Sequence, residues 1–337
     1  MSRVFLWLLL PLLLSFSSSA SAEFGQRDQS AIYGSDDRVD YYELEDASLR
    51  AIAEQSVVAL MSAYRMNYQE APFSLYAPTV HGATGICLDE PFSRQPAAAF
   101  CSGVLIADDI VLTAGHCFFD EQQCPLTRFV FDYYYTEENA LAPLNADSIY
   151  SCRQVVEQRY QTTTRGIQDW AIVQLDRPVS HARTPALLRT AIARDGNTIH
   201  RAPTVSNQAP VTMIGFPLGM PLKADAGGRV TNPRDILQDA FVTDLDAFAG
   251  NSGSGVWIKE AEEYRLAGIL VSGEEDFEAL EAGARCIQSK RCTVGTCLGE
   301  NIVYLDRALE AFCETKGGHS IRHELCGDNG PQCGDGF

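Results

Sequence analysis

Three residues of this 337-residue chain stand in settings that suit nucleophilic catalysis. Ser252 lies between glycines in Phe248-Ala249-Gly250-Asn251-Ser252-Gly253-Ser254-Gly255. His116 lies in Thr113-Ala114-Gly115-His116-Cys117, and Asp169 leads the apolar run Trp170-Ala171-Ile172-Val173. A serine hydroxyl is a weak nucleophile until a base takes its proton, and an imidazole serves best when a carboxylate fixes its tautomer. On this reading Ser252 attacks a carbonyl carbon. His116 takes the serine proton and passes it to the leaving amine, while Asp169 stabilises the imidazolium. The backbone N–H groups of Gly250 and Ser252 are candidate donors to the oxyanion, because glycine permits the tight turn that aims both inward. Taken singly, each residue has a plainer meaning: a flexible turn, a structural histidine, a strand-end cap. Their co-occurrence decides the matter, since His81, His181, His200, His319 and His323 stand in no such context.

These groups must be carried by rigid elements. Ala98 to Ile106 and Ile110 to Ala114 read as strands joined by a turn at Asp108-Asp109. Trp170 to Leu175, Val211 to Phe216 and Ala267 to Ser272 are further short apolar strands. Ala51 to Tyr64 mixes a helical start with a β-like run. Asn301 to Glu314 has apolar residues at helical spacing and predicts one closing helix. Many short strands with Gly-, Pro- and Asp-rich turns predict an all-β barrel or sandwich.

Composition narrows the function classes. A formal charge of −18 argues against a nucleic-acid partner, which needs a basic patch. Residues 1–22 read as a signal peptide: Arg3, then an apolar run from Val4 to Leu14, then Ala20-Ser21-Ala22 as cleavage site. That run is too short to span a bilayer, so no membrane attachment is expected after cleavage. Export makes the 11 cysteines a disulfide framework, and no Cys-x-x-Cys pair supports zinc. No calcium-loop pattern occurs either, so no metal or cofactor is expected. The expected organisation is a propeptide or unstructured segment over 23–31, a catalytic domain over 32–315 and a Cys-containing polar tail over 316–337, acting as a monomer on a protein or peptide substrate.

The three motifs resemble those of the trypsin-like serine peptidases. Thr-Ala-Gly-His-Cys is similar to the family's histidine motif, Asp-Trp-Ala-Ile-Val-Gln-Leu to its aspartate strand and Gly-Asn-Ser-Gly-Ser to its serine motif. The likeness runs from about Val57 to Phe312. It implies two six-stranded antiparallel β-barrels of the chymotrypsin type with a C-terminal helix. It also implies a Cys101–Cys117 disulfide at the histidine loop. Asn251 stands where animal trypsins carry the aspartate that pairs with a newly freed amino terminus. With Ile32 to Arg38 and Gly215-Phe216-Pro217, it makes the chain look closer to the bacterial glutamyl-endopeptidase-like branch, trimmed near Ala31.

The resemblance also implies where specificity resides. Asp246 stands six positions before Ser252, at the pocket floor, where a buried carboxylate favours Arg or Lys before the scissile bond. Its plainer alternative is a local turn cap. Leu270 stands where the glutamyl branch carries a pocket-wall histidine, which argues against glutamate preference. Glu274, Glu275 and Asp276 read as an acidic solvated loop. The alternative function is a catalytically silent relative that binds peptides or partner proteins.

Overall fold

A computed structural model describes residues 31–120, 122–189, 193–195, 198–200, 203–234, 238–278, 285–293 and 296–314. The expected signal peptide and polar tail lie outside these residues.

The chain enters through β1 (Arg38–Asp40) and α1 (Ala47–Gln55). Asp46 starts α1 by accepting the Ser48 N–H on its side chain at 2.8 Å, a standard way to satisfy an orphan donor. Helix gives way to strand where the sequence turns to Val57-Val58-Ala59-Leu60-Met61, whose side chains are all buried. This is β2 (Val57–Ser62). It joins β3 (Ala99–Ala107), β4 (Ile110–Thr113), β5 (Thr127–Val130), β6 (Ile149–Thr163) and β7 (Gly166–Leu175). The six close into a barrel in the order β6-β7-β4-β3-β2-β5.

The second unit is an eight-stranded sheet. Its later strands are β8 (Thr212–Gly215), β9 (Lys223–Asp225), β10 (Val230–Asn232), β11 (Ala240–Thr243), β12 (Gly255–Glu260), β13 (Glu263–Ser272) and β14 (Glu300–Tyr304). The order is β10-β11-β14-β13-β12-β8-β9-β1, so the amino-terminal strand covers one edge. The two-barrel, mostly β architecture thus stands as expected, with the second unit a curled sheet.

The closing helix is shorter than its sequence pattern predicts. Glu300–Tyr304 is strand β14, paired to both β11 and β13, and only Leu305–Glu314 is helix α2. Ile302, Val303 and Tyr304 are β-branched or aromatic and pack well on a pleated sheet, which overrides the helical spacing. Leu305, Ala308, Leu309 and Phe312 lie along one face of α2 and join the larger core cluster, which fills the first barrel and continues into Ile214, Trp257 and Ile269 of the second unit. A second cluster, including Phe241, Leu245, Val256, Leu270 and Ile302, fills the other unit. Four disulfides join described residues: Cys87–Cys286, Cys101–Cys117, Cys124–Cys152 and Cys292–Cys297.

Candidate active site

His116 sits on a short 3₁₀ turn (Gly115–Phe118) that follows β4, with the side chain buried. Its Nδ1 lies 2.7 Å from Asp169 Oδ2, and its backbone N–H donates to Asp169 Oδ1 at 2.9 Å. One carboxylate therefore fixes both the ring and the main chain of the histidine. A histidine whose Nδ1 faces an acceptor can exchange protons with a nucleophile through Nε2. Asp169 is itself 3% exposed, on β7 opposite Tyr160.

The turn is held from behind. Gln158 Nε2 donates to the Gly115 carbonyl at 2.6 Å and to the Phe118 carbonyl at 2.8 Å. Glycine is required at 115, because a Cβ there would lie 2.0 Å from the Arg159 carbonyl oxygen. The Cys101–Cys117 disulfide ties the turn to β3. Cys101, His116 and Cys117 place three possible metal ligands within 4.8 Å of one another. They do not suit a metal: the disulfide consumes both sulfurs and Asp169 engages Nδ1.

Ser252 comes from the other unit, in the loop before β12. Ser102 on β3 is one connection between the two units. Its N–H donates to the Ser252 carbonyl at 2.8 Å. Its buried hydroxyl donates to the Gly250 carbonyl at 2.8 Å and accepts the Phe216 N–H at 3.0 Å. Cys117 Sγ, which has no proton in the disulfide, touches the Ser252 carbonyl at 3.9 Å. Ser252 thus lies against the residue next to His116.

The serine loop is fixed peptide by peptide. The Leu218 N–H donates to the Ala249 carbonyl at 2.6 Å, which orients the peptide plane that carries the Gly250 N–H. Gly250 has φ +92°, and a Cβ there would press to 2.6 Å from the Phe216 carbonyl oxygen. Asn251 N–H closes the turn on the Phe248 carbonyl at 2.9 Å, and Asn251 Oδ1 accepts the Ser254 hydroxyl at 3.0 Å. Among the described residues, neither the Gly250 nor the Ser252 N–H has a hydrogen-bond acceptor. Two such groups can serve a developing oxyanion.

Asp246, expected at a pocket floor, is buried and already engaged. Its Oδ1 accepts the Tyr33 N–H at 2.6 Å and its Oδ2 the Asp37 N–H at 3.0 Å, so both oxygens hold the amino-terminal segment. Its own N–H donates to Asp225 Oδ2 at 2.6 Å. Burial first, and the neighbouring Asp225 charge second, push the Asp246 carboxyl up to about 7 against its two N–H donors. Leu270 is core: its side chain packs in the second cluster, while its backbone brackets the serine turn by bonds to Gly253 and Ser254.

The acidic run after β13 is also more than a solvated loop. Asp276 is buried and accepts the Ala249 N–H at 3.0 Å, and Glu274 accepts the Leu298 N–H at 2.8 Å. The roles of Ser102, Gln158 and Asp276 are hidden in the sequence, because each acts on a partner at least 27 residues away. Cavity size is no guide either. A 670 Å³ cavity lined by residues including Tyr33, Thr243, Asp244 and Leu298 contains none of His116, Asp169 and Ser252.

Comparison with known families accords with this geometry. Residues 101–269, which span all three groups, match the family model described as a trypsin-like peptidase domain. No curated protein matches the chain.

Proposed function

We propose that this chain, which belongs to the trypsin-like peptidase family, is a secreted serine endopeptidase that works through an acyl-enzyme. Ser252 is the nucleophile, His116 the general base and then acid, and Asp169 the group that orients the imidazole. Gly250 and Ser252 supply the oxyanion donors. The observation that carries this reading is the buried His116–Asp169 pair at 2.7 Å, set beside a serine loop whose peptides are individually tethered. The reaction balances within the protein. The serine proton moves to His116, the acyl group to Ser252 and the proton onward to the leaving amine, after which water reverses the sequence.

Secretion is part of the proposal. It rests on the signal-like residues 1–22 and on four disulfides, which suit an oxidising compartment. Among the described residues no helix is long and apolar enough to cross a membrane. Placement near the bacterial glutamyl-endopeptidase-like branch rests on the neutral Asn251, on Ile32 to Arg38 and on Gly215-Phe216-Pro217. Cleavage after Arg or Lys stays part of the proposal, carried by the place of Asp246 six positions before Ser252, although both oxygens of that carboxylate also accept N–H groups of the amino-terminal segment.

The test is covalent labelling. A fluorophosphonate probe should modify the wild-type protein and leave Ser252→Ala unmodified. Absence of labelling in folded, processed wild type would instead favour the catalytically silent binding protein.

A further inference from the structure

Arg38 is almost fully buried, on the amino-terminal strand β1. Its guanidinium carbon lies 4.3 Å from the centre of the Phe248 ring and 5.4 Å from that of Phe92. Both distances fall within cation–π range. Nε and Nη2 donate to the two oxygens of Asp36 at 2.8 and 2.7 Å, which orients the plane of the fork. Nη1 is buried with no hydrogen-bond acceptor, so aromatic faces are what this part of the cation meets.

Phe248 belongs to the serine loop. Its carbonyl is the acceptor for the Asn251 N–H, so ring and turn move as one unit, and Gly250 is two residues on. Phe92 reaches Arg38 from a backbone at φ +61°, a left-handed conformation that non-glycine residues adopt at a cost. Such strain persists where surrounding contacts impose it, and it gathers at functional sites. The neighbouring backbone supports the same tie: Tyr33 and Asp37 bond to Asp246, two residues before Phe248. Asn251 carries no charge with which to hold a free amino terminus. The amino-terminal segment instead reaches the serine loop through a guanidinium laid on an aromatic ring.

We infer that Arg38 is a positioning residue for the oxyanion loop, acting through Phe248. The inference rests on the proposed peptidase reading for its kinetic consequence and on the loop alone for its structural one. Lysine cannot reproduce it, because a point charge lacks the planar fork that Asp36 orients.

Two measurements on the full-length processed protein test this together. Hydrogen exchange over 248–251 should rise about tenfold or more in Arg38→Gln, while β2 in the first barrel stays unchanged. kcat should fall about tenfold to a hundredfold with little change in KM, as expected when donors present only in the transition state are displaced. Arg38→Lys should recover less than half of the loss on a logarithmic scale. Phe248→Leu, which keeps an apolar side chain but removes the ring, should reproduce both effects if Arg38 variants do not fold. Unchanged exchange over 248–251 in a folded variant overturns the inference. Faster exchange in a protein whose wild type fails to react with fluorophosphonate upholds the tie and defeats the peptidase reading instead.

Discussion

The Ser102 hydroxyl serves the Gly250 carbonyl and the Phe216 N–H at once. Ser102→Ala strands both groups in a dry site, and an unsatisfied buried polar group costs about 1–3 kcal/mol. We expect a lower denaturation midpoint together with a fall in kcat; a midpoint loss with kcat intact would reduce Ser102 to a structural role. Asp169→Asn should leave the fold standing and lower kcat on the order of 10⁴-fold, because the amide favours the wrong imidazole tautomer. Steady-state rates on a peptide ester check this. At this scale the sequence was informative where chemistry is concentrated in short motifs. His116, Asp169 and Ser252 announce themselves by their neighbours, whereas Ser102 is one more small residue in an apolar strand. The partners of Asp246 were hidden for a related reason. Its position relative to Ser252 was legible, but the direction of its carboxylate depends on residues 33–37, over two hundred positions away.

Among the elements, β9 and the loop between β11 and β12 bring two acids together. Asp225 and Asp246 are both buried, and burial is the leading cause that raises their carboxyls to about 6 and about 7. A raised carboxyl keeps its proton in the folded chain after the unfolded chain has lost it near pH 4. The stabilisation is therefore whole below about pH 4 and is lost as pH rises through 6 to 7. Asp225→Asn should flatten the fall of the thermal midpoint between pH 4 and 7 relative to wild type, even if the midpoint itself drops from the lost Gly227 or Asp246 contact. An unchanged slope would contradict the assignment. The strands with dense apolar runs, β2, β3, β4, β7, β8 and β13, were readable, whereas short or polar ones such as β1, β6 and β9 carry no such run. β14 was read as helix, because it combines helical spacing with a place between β11 and β13, and only the sheet that receives it reveals the preference.

Across the whole molecule, Cys87–Cys286 joins residues 199 positions apart and Cys292–Cys297 residues only 5 apart. In the chain-entropy model the long closure restricts the unfolded chain by about 5 kcal/mol and the short one by about 2. Replacing both cysteines of the long pair with serine should thus lower the denaturant midpoint more than the same change in the short pair. Equal losses would point to enthalpic rather than entropic stabilisation. Neither pairing could be read from the sequence, since spacing leaves the connectivity open. The division of the catalytic groups has a consequence in time. His116 and Asp169 belong to the first barrel, while Ser252 stands beyond β11 in the second unit. A chain made from its amino end carries a base with nothing to activate for more than eighty residues of synthesis. On the proposed mechanism, reactivity waits until the later half closes on Ser102. A copy that ends before Ser252 should therefore fail to react with a fluorophosphonate.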